Sequence, residues 1–258
     1  MFKKFFNENA KNYSEENYNI NINKFMITRL NTIKNLVLKN FSNNKNIKVV
    51  DLGCGSGEIA LTLAQNGYSG IAIDYSNAMI KIAEKKLSNY NWNTIVENAE
   101  NTSLENKSVD LIIASGLIEY YPNDEILFEE INRVLKPNGF LIINVTNKIG
   151  YTSILNYFTH PLKKNVLYKF IKEKLFKIKY DTINYLTRKH SINKFKKILK
   201  ENQFEIISER YIGYTLLPAP FSTIFNKFTK NIDKKLEILS RTKFKILGAS
   251  YIVLCKKN

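Results

Sequence analysis

Cysteine is almost missing from this 258-residue chain. Cys54 and Cys255 are the only two and lie far apart, so no disulfide framework is available and a reducing, cytoplasmic setting is the simplest reading. Histidine is as scarce, with His160 and His190 alone, and without a His/Cys cluster no transition-metal site is expected. Five prolines and ten glycines exclude collagen-like, low-complexity and linker-dominated chains. Long apolar runs are missing too: those around 111–118 and 141–145 are too short to span a bilayer. The start, MFKKFFNENAKNY, is basic but lacks an apolar stretch of signal-peptide length. These absences predict a protein that is neither secreted nor membrane-spanning.

What is present is a chain of 44% hydrophobic residues, long enough to bury one sizeable core. Its formal net charge of +16 is unevenly spread. Residues 1–45 carry +5, 46–147 carry −6, 148–200 carry +12 and 201–258 carry +5. An acidic middle is thus followed by a strongly basic insert.

Helical spacing of Ile22, Phe25, Met26, Ile33, Leu36 and Val37 predicts an amphipathic helix over 22–40. IKVVDLGCGSGEIALTLAQNG then reads as strand, glycine loop and a helix that stops near Gly67. Strands are expected at 70–76, 93–100, 108–116 and 140–147, and helices at 77–89, opened by Ser76 or Asn77, and 123–136, ended by Pro137, Asn138 and Gly139. Strands alternating with helices of about a dozen residues imply βαβ units around a parallel sheet. Beyond them the pattern suggests helices over 150–178, 191–202 and 223–240, and strands over 204–214 and 246–257.

Gly53, Gly55 and Gly57 fall between the first strand and its helix, where a ligand can approach the backbone closely. Asp74, at the end of the next strand, stands where a ribose diol would be held. A dinucleotide fingerprint would place its third glycine at position 58, but Glu58 stands there, and with Asp51 it would repel a pyrophosphate. No lysine follows the loop, which excludes a phosphate-binding loop of the G-x-x-x-x-G-K type. S-adenosylmethionine fits this charge pattern, with a ribose, a positively charged tail and no phosphate.

VVDLGCGSGEIA, AIDYSNAMI, ENAENTSLENKSVDLIIASGLIEYYPN and RVLKPNGFLIINVTN, in this order, resemble the class I S-adenosylmethionine-dependent methyltransferases, in particular the group acting on small molecules. The resemblance implies an α/β, Rossmann-like fold with a seven-stranded, mostly parallel sheet, helices on both faces and an inserted helical cap. The resemblance covers an N-terminal helical lid at 1–45 and a donor-binding core at 46–147 and likens the C-terminal strands at 204–258 to the family's antiparallel edge, while the basic helical insert at 148–203 is read from its charge and apolar spacing. It further implies that Asp51, Gly53, Cys54, Gly55 and Gly57 form the methionine-side loop and that Asp74 binds the ribose. Tyr75 and Met79 would pack on adenine, Asn98, Ala99 and Glu100 would meet its edge, and Ser115 would lie beside the methionine tail. Relatives often have Asp where this chain has Asn98, which can still accept from an exocyclic amine.

Methyl transfer from a sulfonium is an in-line displacement in which positioning does most of the work. Residues expected to face the methyl group are Tyr13 in the lid, Glu119, Tyr120 and Tyr121 in LIEYYPN, and His190 in the insert, with Glu119 or His190 as candidate bases. The N/D-P-P-Y/F signature of DNA-adenine methyltransferases is replaced by ASGL. The stretch 161–180 alternates apolar residues and lysines at helical spacing, which suits contact with an anionic membrane surface or cover for the acceptor. The expected acceptor is a small molecule, anionic, lipid-like or aromatic. An RNA acceptor gripped by the insert and a non-catalytic binding module are the alternatives.

Overall fold

The computed structural model describes residues 2–17, 24–154, 188–214, 231–232 and 235–258. Residues 161–180 and His160, and with them most of the expected cap, lie outside the described residues. Among the described residues no helix is long and apolar enough to cross a membrane.

Two helices, α1 (Phe2–Asn17) and α2 (Lys24–Phe41), precede an alternating series. It runs β1 (Val49–Leu52), α3 (Glu58–Ala64), β2 (Gly70–Asp74), α4 (Asn77–Leu87), β3 (Trp92–Val96), β4 (Val109–Ser115), a 3-10 turn at Ile118–Tyr120, α5 (Glu125–Val134) and β5 (Leu135–Thr146). The chain continues with α6 (Ile192–Glu201), β6 (Phe204–Ile212), 3-10 turns at Glu237–Arg241 and Lys243–Leu247, and β7 (Ser250–Lys257). One seven-stranded sheet results, in the order β3-β2-β1-β4-β5-β7-β6. Its first five strands are parallel, and β7 runs antiparallel to both β5 and β6.

Because side chains alternate across a strand, the near-continuous apolar runs feed two cores at once. Val50, Leu52, Ile112, Leu141 and Ile143 pack on one face with Phe128 and Ile131 of α5 and Phe195 of α6. Val49, Leu111, Ile113 and Ile142 pack on the other with Ile33 and Val37 of α2, Leu63 of α3 and Ala83 of α4. The strand order reverses direction at β1, whose neighbours are β2 and β4, so the loops after β1 and β4 splay apart and open a crevice at their carboxyl ends.

Several boundaries differ from expectation. β3 stops at Val96 rather than running to 100: after the Glu97 N–H to Asp74 carbonyl bond, Asn98–Asn101 close a turn. α5 stops at Val134 because Leu135 extends to pair with Val109. Of the expected 223–240 helix, residues 231–232 and 235–236 are α-helical and Glu237–Arg241 is a 3-10 turn, and the last strand begins at Ser250 instead of 246, with another 3-10 turn before it. Of the helix expected over 150–178, residues 151–154 are helical and the rest lies outside the described residues.

Candidate active site

The crevice at the strand ends is a cavity of about 230 Å3. Its floor is the glycine loop. Gly53, Gly55 and Gly57 all adopt positive φ, and the Gly53 and Cys54 N–H groups donate to the Ile73 carbonyl at 2.8 and 2.9 Å, fastening the loop to β2. A Cβ on Gly55 would meet nothing within 4 Å, so its missing side chain leaves a cradle open to the cavity. Gly57 does something different: it does not line the cavity, and a Cβ there would come within 2.9 Å of the Ala83 Cβ, so it permits α3 to pack on α4.

Asp74 sits at the crevice mouth with its carboxylate accepting from Gly55 N–H at 2.9 Å and Ser76 N–H at 2.8 Å. With the Tyr75 N–H also bonded to it, about one of the carboxylate's four lone-pair sites is left for a ligand hydroxyl. Burial raises its pKa, against the backbone N–H groups of Ser76, Gly55 and Tyr75. Ser76, not Asp74, caps α4, its hydroxyl accepting from Met79 N–H. Tyr75, Met79 and Ala99 line the cavity beside it, as does Asn98, whose Oδ1 accepts from the Tyr121 hydroxyl at 3.2 Å.

Behind the loop, Asp51 is fully buried. Its Oδ2 accepts from Ala60 N–H at 3.2 Å while Oδ1 has no hydrogen-bond partner among the described residues. Burial, with Glu58 and Asp74 close by, pushes its pKa up to about 7. Burial and the same acids push the Cys54 thiol well above its ordinary range, which leaves it a small wall residue and not a nucleophile.

The opposite wall comes from distant segments. Phe6 of α1 meets Tyr13, Tyr75 and Tyr120 edge-to-face at centroid distances of 5.6, 6.3 and 5.5 Å. Arg29 of α2 is the one cation lining the cavity among the described residues. It hydrogen-bonds the Tyr13 hydroxyl and lies so close to Gly116 that a Cβ there would be 2.7 Å from its Nη1. Ser115 donates its hydroxyl to Asn144 Oδ1 at 2.9 Å and borders the same space. Glu119 also lines it, but one carboxylate oxygen accepts the Thr146 N–H, and burial raises its pKa.

Four sequence-based assignments change. His190 does not line the cavity; it is buried behind the 118–120 turn, with Nε2 3.3 Å from Asp124 Oδ1 and its ring edge-on to Phe195. Glu100 does not line the cavity and accepts from Asn98 Nδ2 at 3.1 Å. Asp51 and Gly57 support the loop from behind instead of contacting the space. Arg29, Phe6 and Gly116 were missed. The signals for them were faint: one arginine among the lysines of the first two helices, and a glycine after a strand.

The donor proposed from charge can be tested against this lining. It carries two positive groups, a carboxylate, a ribose diol and an adenine. The cavity offers the carboxylates Asp74 and, beneath the loop, Asp51 with its unused oxygen, the single guanidinium of Arg29, and the Tyr75–Met79 shelf. The donor set fits.

Residues 50–143 match the family model described as a methyltransferase domain. Residues 50–143 thus form a methyltransferase domain of the class I S-adenosylmethionine-dependent kind that the chain's motifs resemble. Over 202 residues this methyltransferase is 29% identical to an uncharacterised protein of Methanocaldococcus jannaschii, covering 75% of each chain. It is 26% identical over 166 residues to the malonyl-[acyl-carrier protein] O-methyltransferase of Priestia megaterium, covering 64% of this chain and 58% of that relative, so the match spans little more than half of the second protein. Among solved structures, the magnesium protoporphyrin IX methyltransferase of Synechocystis with bound S-adenosylhomocysteine superposes with a TM-score of 0.61 at 15% identity, covering all of this chain and 98% of that one. At that identity the likeness establishes the fold.

Proposed function

We propose that this methyltransferase acts on a small, lipid-like or aromatic acceptor that enters against the wall of Phe6, Tyr13 and Tyr120. S-adenosylmethionine supplies an electrophilic methyl group on a sulfonium. Asp74 holds the ribose, Arg29 takes the methionine carboxylate through its planar fork, and the buried negative charge of Asp51 favours the cationic tail. Tyr75 and Met79 receive the adenine, and α1 serves as the lid.

The observation that carries the reading is the composition of the cavity. Among the described residues it has one guanidinium, suited to one carboxylate, and an edge-to-face aromatic wall in place of the multiple cations a nucleic-acid backbone requires. The name of the Priestia megaterium relative, an O-methyltransferase of malonyl-[acyl-carrier protein], supports a small acyl-type acceptor. Among the described residues, the titratable side chains of the wall are poorly suited to act as a strong base. Glu119 has an oxygen committed to Thr146, and Tyr120 is pushed above its ordinary pKa by burial, first, and then by Tyr13 and Glu119. Catalysis therefore rests on alignment, which can supply roughly 7–11 kcal/mol, and the acceptor brings its own lone pair.

Calorimetric titration with S-adenosylmethionine, followed by transfer of labelled methyl to a lipid extract, to aromatic acids and to total RNA, tests this. Saturable donor binding with label in the small-molecule fractions is expected. Label in RNA, with binding that falls steeply as salt is added, would replace this reading with the RNA one. Absence of donor binding would reduce the protein to a non-catalytic member of the fold.

A further inference from the structure

A second surface lies at the same edge of the sheet as the donor cavity. Thr146, the last residue of β5, pairs with Ser250, the first of β7, and Ser250 pairs in turn with Ile212, the last of β6. The segments that leave this edge therefore emerge beside Ser115 and Gly116, which border the cavity and bond to Asn144 of β5. Asn147 ties two of them together: its Nδ2 donates to the carbonyls of Ile246 at 2.7 Å and Gly248 at 2.9 Å, and its N–H donates to Ala249 at 2.9 Å. Gly150 completes the junction, where a Cβ would fall 2.7 Å from the Gly248 carbonyl oxygen.

On the solvent side of this junction large apolar residues stand open. Ile149 and Ile154 are 50% and 43% exposed, and Ile238, Phe244 and Ile246 are 66%, 51% and 46% exposed. Soluble surfaces scatter such residues singly, whereas here five come from two segments hydrogen-bonded to each other. Between them sit the exposed cations Lys148, Arg241 and Lys243. No acidic residue occurs in 147–154 or from 238 to the end of the sequence. The nearest carboxylate on β6, Glu209, is already committed to Lys196, Lys245 and the Tyr251 hydroxyl.

Alternating cationic and apolar side chains match a surface that is negatively charged outside and hydrocarbon beneath. We propose that the face formed by 147–154 and 238–246 docks this methyltransferase on an anionic membrane surface, with the cavity-bearing edge of the sheet turned toward the lipid. This surface is distinct from 161–180, the stretch whose sequence alone suggested membrane contact. The inference extends the lipid-like reading of the acceptor but is measured without any acceptor, so either can fail alone.

Sedimentation of the full chain with vesicles of phosphatidylcholine alone, or with about one-third phosphatidylglycerol, decides it. Binding to the anionic vesicles only, weakened in about 0.5 M salt, is expected. Phe244→Ser with Ile246→Ser, and separately Arg241→Glu with Lys243→Glu, should each lower that binding at least tenfold while donor affinity and Tm stay unchanged. No binding by the unaltered chain overturns the proposal. So does binding that both double variants retain, which would assign it to 161–180. A dimer in light scattering that Phe244→Ser turns into a monomer also overturns it, because the face would then belong to a second copy.

Discussion

On the proposed donor side of the cavity, Gly53, Gly55, Asp74, Tyr75 and Met79 lie between residues 53 and 79 and border the space at two adjacent strand ends. The opposite wall, proposed to face the acceptor, draws Phe6 and Tyr13 from α1, Arg29 from α2 and Glu119 and Tyr120 from the turn after β4. That turn is braced from behind by Arg188, whose N–H donates to the Glu119 carbonyl at 3.1 Å and whose guanidinium pairs with Asp124. The donor side is thus one local unit whose geometry follows from backbone conformation. The other side is a convergence of segments far apart in the chain, adjustable segment by segment, and this is how one fold keeps its donor while its acceptors change.

Damage to the loop backbone should have the largest effect. Gly57→Val forces a β-branched residue to φ 81 at a cost of about 1–3 kcal/mol. It also drives side-chain atoms into Ala83. A Tm lower by roughly 5–10 °C and loss of donor binding are expected in a thermal melt and calorimetry.

Next in size is Asp74→Ala, which removes charge-assisted bonds worth on the order of 1.5–3 kcal/mol and lowers S-adenosylmethionine affinity at least tenfold. Unchanged affinity would remove the ribose assignment.

Arg29→Gln tests whether a wall residue reaches across to the donor. Affinity for S-adenosylmethionine should fall about tenfold, or about 1.4 kcal/mol. Affinity for methylthioadenosine, which lacks the amino-acid carboxylate, should hold. Equal losses for both would mean that Arg29 organises the wall and not the donor.

Asp51 gives a smaller effect through pH. Its pKa, raised to about 7, leaves it largely neutral at about pH 6 and charged at about pH 8, so affinity for the cationic donor rises several-fold across that interval. Asp51→Asn should flatten the slope. Without donor the sign is opposite: the fold favours the neutral carboxyl, so the stability Asp51 contributes is full below its ordinary value of 3.8 and is lost as pH climbs to about 7.

His190→Gln should leave donor affinity within about twofold, because its ring lies behind the turn, beside Asp124. A larger loss would show that the brace sets the donor side as well, and the two-part division of the cavity would fail.

The glycine loop, the acid ending β2 and the alternation of strands and helices could be read directly, because each rests on neighbours within a few residues. Ser76 was readable as a cap for the same reason. The role of Gly57 was misjudged, since what it avoids is Ala83 of another helix. Glu119 and His190 were placed together as bases because both are titratable. Glu119 does line the cavity, with one oxygen bonded to Thr146 N–H, whereas His190 lies alongside Asp124 away from it, contacts that the fold creates between the 118–124 segment, β5 and residues 188–190.

By itself the sequence determined the doubly wound sheet and the chemistry of the donor, since apolar periodicity, backbone permissiveness and the charge beside a loop are local quantities. Only the tertiary structure decided that Arg29 is the cavity's one described cation, that Phe6 packs its ring against Tyr13 and Tyr120, and that an apolar, basic face shares the cavity's edge. Those facts depend on which distant residues meet when the sheet is buried on both sides, and the energy that fixes them is spread over the whole core.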